Sequence, residues 1–229
     1  MLKKIAGIID FKYAFRELLL IVGGILIALS INNWNDARKQ RITEIKSLKE
    51  IKNTLQSDLR DLKYNIQGEK IIVSSREKLL QMQAQKIVFH DSLVPYFDKV
   101  FWDIYLAVNR SAFESIKSRG LDIISNDSLR LKIADLYDYA YKVIETNEKQ
   151  TGDYLFQESN NFAEDIIPLQ EVNTDRNTSY KNLMNKQDFK TFLKQSLTIE
   201  QEKLRQYGSL ERRLQNLVAE IESEVKRLE

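Results

Sequence analysis

Residues Leu18–Ile31 read LLLIVGGILIALSI, fourteen positions with no charge and a single hydroxyl. Extended to Trp34, the run has 17 residues. That is the lower limit for a helix crossing about 30 Å of hydrocarbon at about 1.5 Å per residue. Arg16 and Glu17 bound it on one side, and Asp36, Arg38, Lys39 and Arg41 on the other. The expected organisation starts with an N-terminal arm (1–17) and a transmembrane helix (18–34). Arg16, Trp34, Arg38, Lys39 and Arg41 are expected at the membrane interface and the lipid bilayer as a partner. A buried soluble helix is one alternative, but the sharp flanking charges oppose it. Cleavage as a signal peptide at Ala28-Leu29-Ser30 is another, opposed by the unbroken passage into helix-forming sequence. Gly24 and Ala28, small residues four apart that let backbones approach, are expected to pack membrane helices together, with Asn32 hydrogen-bonding between copies.

Beyond the span, the scarcity of helix breakers dominates. Only seven Gly and two Pro occur in 229 residues, with none between Gly24 and Gly68 and no Pro before Pro95. An all-β fold has too few turn residues here, and one continuous helix is expected out to about His90. Ile42, Ile45, Leu48, Ile51, Leu55, Leu59, Leu62 and Ile66 recur in steps of three and four, the rhythm of one buried helix face. Leu204, Tyr207, Leu210, Leu214, Leu217, Ile221, Val225 and Leu228 repeat it at the C-terminus. The fold class read from this is all-α, with an antiparallel helical hairpin stalk made by residues 35–90 and 188–229. Stalk packing falls to Ile45, Leu48, Leu55, Leu59, Leu62, Leu214, Ile221, Val225 and Leu228. The first helix is longer by about 13 residues, or about 20 Å. Its surplus stripe predicts a second chain, hence a homo-oligomer with coiled-coil character or a subunit of a membrane complex.

The middle, 91–187, differs in composition. Of 22 aromatic residues, 13 fall between Phe89 and Phe162. A small helical head at the far end of the stalk is expected, with Phe101, Trp102, Phe113 and Tyr137 in its core. Ser111 and Glu114 have the spacing of a capping box. Gly120 should stop that helix, and Ser125-Asn126-Asp127 should start another that runs to about Asp165, closed by Pro168. The polar stretch EVNTDRNTSYKN (171–182) reads as a loop.

Several chemistries are removed by composition. Without Cys and with one His, thiolate nucleophiles, thiolate zinc sites and di-iron bundles cannot be built. No phosphate-binding glycine loop or nucleophile elbow is present. Lys and Arg total 35 against 33 Asp and Glu, interspersed by sign, so no nucleic acid partner is expected. Asp135, Asp138, Glu164 and Asp165 form the nearest approach to a carboxylate cluster, and a solvated helix face accounts for them. His90 is expected at the end of the long helix, interacting with its dipole. No catalytic residue, cofactor or metal is expected, and the chain is not read as an enzyme.

Two stretches resemble an uncharacterised family of single-pass bacterial membrane proteins, chiefly from Bacteroidota. These are FRELLLIVGGILIALSINNWNDARKQR (Phe15–Arg41) and SAFESIKSRGLDIISNDSLRLKIADLY (Ser111–Tyr137). The second carries an aromatic-Glu-x-x-Lys-x-x-Gly run, here Phe113 to Gly120, followed by Ile-Ser-Asn-Asp. The resemblance implies a bitopic protein with a helical extramembrane domain and supplies no catalytic residues. The location expected is the bacterial inner membrane, N-terminus cytoplasmic and C-terminal domain periplasmic. The function expected is interaction: a self-assembling scaffold or an accessory subunit of an inner-membrane complex. The alternative is a sensor or ligand-binding module with the aromatic head as pocket.

Overall fold

The computed structural model describes residues 11–229; positions 1–10, the greater part of the expected N-terminal arm, lie outside the described residues. Among the described residues are seven α-helices. Helix α1 spans Phe11–Gln85, 75 residues without a break and about 112 Å at helical rise. Its apolar N-terminal part is long and apolar enough to cross a membrane, and none of it is buried. From about Glu44 onward the same helix sinks one face into a bundle. The helix stops short of His90. Lys86 takes a left-handed turn at φ 51°. His90 then caps the 3₁₀ turn Asp91–Leu93, its Nδ1 accepting from the Ser92 amide at 3.3 Å. His90 thus serves the start of the next element rather than the dipole at the end of α1.

After α2 (Val94–Asp98), residues 101–110 form an extended strap that descends along α1. Helix α3 (Ser111–Arg119) comes next and stops at Gly120, whose φ of 105° suits glycine. The capping box does not form: Asn109 Oδ1 accepts from the Ser111 amide at 3.0 Å and from its hydroxyl. Helix α4 (Asp127–Asp135) starts where expected, with Asn126 Oδ1 accepting from the Leu129 amide at 3.1 Å. A π-helical turn at Leu136–Ala140 joins it to α5 (Tyr141–Gln170), and Pro168 sits inside the last turn of α5. Part of the expected loop is helical. Asp175 accepts from the Thr178 amide and starts α6 (Arg176–Asn185). Helix α7 (Gln187–Leu228) returns antiparallel to α1. Arg41 reaches the end of α7, its Nε donating to the Leu228 carbonyl and its Nη2 to the Arg227 carbonyl at 3.4 Å. A cation at the C-terminus of a helix meets both orphan carbonyls and the dipole.

The middle of the chain does not make a separate head at the far end. Its helices lie beside the α1–α7 pair along its length and divide into two apolar clusters. The lower cluster joins Leu48, Leu55 and Leu62 of α1 and Leu214, Ile221, Val225 and Leu228 of α7 with Phe113, Tyr137 and Tyr141, and the half-buried Ile45 and Leu59 pack against it. Phe113 and Tyr137 stack at 4.5 Å. The upper cluster joins Leu79 and Met82 with Phe97, Phe162, Phe189 and Phe192, the half-buried Phe101 lying 5.3 Å from Phe192. The α1 stripe from Leu48 to Met82 is thus covered by the chain itself, which removes the surplus face that called for a second copy. Ile42, expected in that stripe, is 58% exposed, and Trp102, expected in the core, is 53% exposed.

Candidate functional site

Between the two apolar clusters lies a layer of buried charge, assembled from four segments. The strap requires it. An extended segment packed on helices has no ladder for its amides and carbonyls, and such groups must find side-chain partners when buried. Asp58 Oδ1 accepts from the Asn109 amide at 3.2 Å, and Asp61 Oδ2 from the Ala107 amide at 3.1 Å. Asn65 Nδ2 donates to the Tyr105 carbonyl at 2.9 Å. Arg76 Nε and Nη2 donate to the carbonyls of Val100 and Trp102, each at 3.2 Å. From α7, Lys203 Nζ donates to the Ile104 carbonyl. From α5, Glu148 Oε1 accepts from the Leu106 amide at 3.1 Å and also from the Tyr207 hydroxyl.

The strap needs room as well as partners. A Cβ on Gly152 would stand 2.1 Å from the Tyr105 hydroxyl, and one on Gly68 would stand 2.3 Å from Ile104 Cδ1. Both glycines lie where the strap crosses a helix.

At the centre, Arg76 and Glu200 form an ion pair at 2.7 Å with both side chains fully buried. Lys203 Nζ stands 2.6 Å from Glu69 Oε1 and 2.6 Å from Asp103 Oδ1. One oxygen from each of Glu69, Asp103 and Glu200 lies within 4.8 Å of the other two. Both Glu69 oxygens, Asp103 Oδ2 and Glu200 Oε2 are buried without a hydrogen-bond partner, so the Glu69–Lys203 pair lacks hydrogen-bond alignment. The electrostatics are set by burial. Desolvation, reinforced by the adjacent Glu200, pushes the Glu69 carboxyl up to about 8. Desolvation also raises Glu148 against the bonds from Tyr207 and Leu106. Burial alone would lower Lys203, but Glu69, Asp103 and Glu200 outweigh it and raise the ammonium instead. The layer borders a groove of about 470 Å³ between α5 and α7, lined in part by Glu148, Thr151, Lys203 and Tyr207.

No local pattern in the sequence singles these groups out. The carboxylates that sequence does single out are scattered. Asp135 pairs with Arg213, Asp138 with Lys117 at 2.7 Å and Asp165 with Lys186 at 2.5 Å. Among the described residues, Phe113, Tyr137 and Tyr141 pack ring on ring, as do Phe162, Phe189 and Phe192, whereas Trp102, Tyr105, Tyr139 and Phe156 are exposed. Along the apolar part of α1, Gly24 and Ala28 have open surroundings, and Asn32 Nδ2 donates to Asp36 Oδ2 at 3.2 Å within the same helix. Arg16, Trp34, Arg38 and Lys39 are exposed on that helix, Lys39 lying 3.7 Å from Asp36.

No curated protein and no solved structure matches the chain. A profile for a family of unknown function (DUF6090) matches residues 17–162. The match holds the whole Leu18–Trp34 apolar stretch, the whole Phe113–Gly120 run and four members of the buried layer: Glu69, Arg76, Asp103 and Glu148. It covers well over half of the sequence, and the chain therefore belongs to the DUF6090 family.

Proposed function

We propose that this chain is a membrane-anchored helical interaction module, working as a scaffold or accessory subunit rather than as a catalyst. The observation that carries this reading is the division of labour along α1. Its apolar part contributes nothing to the bundle core, while the rest of the same unbroken helix forms one wall of that core. A stretch of exposed Leu, Ile and Val of this size is an aggregation liability in water and an asset in lipid. In this reading residues 18–34 cross the inner membrane with the N-terminus cytoplasmic. The bundle then stands on the periplasmic face with the Arg41–Leu228 junction nearest the bilayer. Self-association falls to the membrane segment around Gly24 and Ala28, since the α1 stripe is already covered.

Native sequence without Cys gives a clean test. Full-length protein carrying Ser57→Cys, at an exposed bundle position, should stay in the membrane fraction through alkaline carbonate washing. A membrane-impermeant maleimide applied to spheroplasts should label it. Release by carbonate overturns the anchor, and labelling only after lysis overturns the orientation. Mass measurement in mild detergent, with Gly24→Ile alongside, tests self-association: a monomer in both would remove it.

A further inference from the structure

The centre of the buried layer carries four carboxylates, Glu69, Asp103, Glu148 and Glu200, against two cations, Arg76 and Lys203. Burial of unbalanced charge is costly enough that a further positive charge has to be found. A metal ion is poorly placed to supply it. The Lys203 ammonium already stands at 2.6 Å from both Glu69 and Asp103, where a metal shared by those two would sit. What remains is a contact between like groups. Glu69 on α1 and Glu200 on α7 are wholly buried, approach within 4.8 Å, and each keeps its Oε2 without a partner. Two carboxylates placed so in a dry layer do not both ionise.

We propose that Glu69 and Glu200 hold one proton between them, forming a proton-binding site that clamps α1 to α7 and fixes the strap at Asp103–Tyr105. The other charged and titratable groups facing it are Arg76 on α1, Asp103 and Tyr105 on the strap, Glu148 on α5, and Lys203 and Tyr207 on α7. The raised Glu69 carboxyl supports the same reading, with burial as its main cause. Loss of the proton leaves an extra negative charge beside Lys203. The ammonium is then drawn toward Glu69 and away from the Ile104 carbonyl, which has to be solvated through the groove between α5 and α7. The strap is the segment that loosens.

The sign is fixed by linkage. An unfolded Glu titrates near 4.5, while the folded carboxyl holds its proton to about 8. The folded state binds the extra proton across that window, so stability falls as pH rises from 4.5 to about 8 and is then level. Full-length protein in detergent should therefore lose thermal stability over that range. Glu69→Gln, which keeps the shape of the protonated acid, should remove this part of the slope. It should melt above the wild type at pH 9 by at least about 3 °C, the shift of roughly 1 kcal/mol in a chain of this size. Infrared spectra of the wild type should show a buried carboxylic-acid carbonyl band at pH 6.5 that disappears by pH 9.5, and Glu69→Gln should lack it. The band keeps the test valid even if the variant folds poorly. A wild type without the band overturns the proposal, as does an unchanged pH slope in a folded Glu69→Gln. So does a rise in melting temperature at pH 9 with Mg²⁺ or Ca²⁺ that Glu69→Gln abolishes, which would make the missing charge a metal.

Discussion

Two glycines inside long helices have opposite surroundings, and the difference decides what a methyl group would do. Around Gly208 in α7 nothing lies within 4 Å of a built Cβ. Gly208→Ala should therefore stabilise the fold by about 0.5–1 kcal/mol through lower backbone entropy in the unfolded chain. At Gly152 the same atom would meet the Tyr105 hydroxyl and stand 3.2 Å from Asp103 Oδ2. Gly152→Ala should cost about 1 kcal/mol, because the Tyr105 side chain, whose hydroxyl is the nearest atom, has to swing aside. Chemical denaturation of the two variants side by side checks both signs. Arg76 makes a third case: Arg76→Ala strands Glu200 in the dry layer and frees the carbonyls of Val100 and Trp102, a loss of about 3–5 kcal/mol. A midpoint close to the wild type would mean that water enters the layer freely. These positions are hard to read from sequence. Asp58, Asn65, Glu69 and Arg76 are spaced by seven, four and seven along α1, which places them on one face beside the apolar stripe. Polar residues on such a helix are ordinarily solvated. Only the return of the chain as a strap, which no local pattern announces, turns that face inward.

Elements are more legible where breakers and caps are strong. The unbroken α1 reflects the absence of Gly and Pro over most of its length, the stop at Gly120 its positive φ, and the start of α4 the Asn126 cap. The misses have local causes. Asn109 outcompetes Glu114 for the Ser111 amide, which its side chain reaches from two residues earlier, and it takes the Ser111 hydroxyl as well. Residues 171–182 are polar enough to read as loop, yet Asp175 supplies a cap, and Tyr180 with the following Leu183 finds the upper cluster. The π-helical turn at Leu136–Ala140 has no signature in composition. It sets Tyr137 against Phe113 and lets the Tyr141 hydroxyl donate to Asp58 at 2.8 Å. Burial raises Asp58 despite that bond and the bond from Asn109, so the lower cluster also carries a carboxylate reluctant to ionise.

At the scale of the whole molecule, three long helical runs lie side by side: α1 outward from its apolar end, α4 with α5 in the same sense, and α7 back. The stripes on α1 and α7 announce two of these runs. The third is legible as a helix from Ser125-Asn126-Asp127 to about Asp165, but its place beside the other two is hidden, because its inward face mixes Tyr141, Ile144, Glu148, Thr151 and Leu155 and so lacks a clean apolar rhythm. The expected surplus disappears because α1 ends at Gln85 and sinks into the bundle only from about Glu44. Helix α7 spans that length, from Leu228 beside Arg41 to Phe189 beside Leu79 and Met82, and the argument for an obligatory partner falls away. A single shaft joining the apolar segment to the buried layer has a mechanical consequence. Without a swivel between Trp34 and Glu69, each residue added near Trp34 should turn the bundle by about 100° and raise it by about 1.5 Å. Two added alanines would face the domain almost backwards. Seven would restore its heading to within about 20° and lift it by about 10 Å. If binding needs both lipid and a particular azimuth, a pull-down should fail with two and recover with seven, as in a key cut for one orientation of its lock.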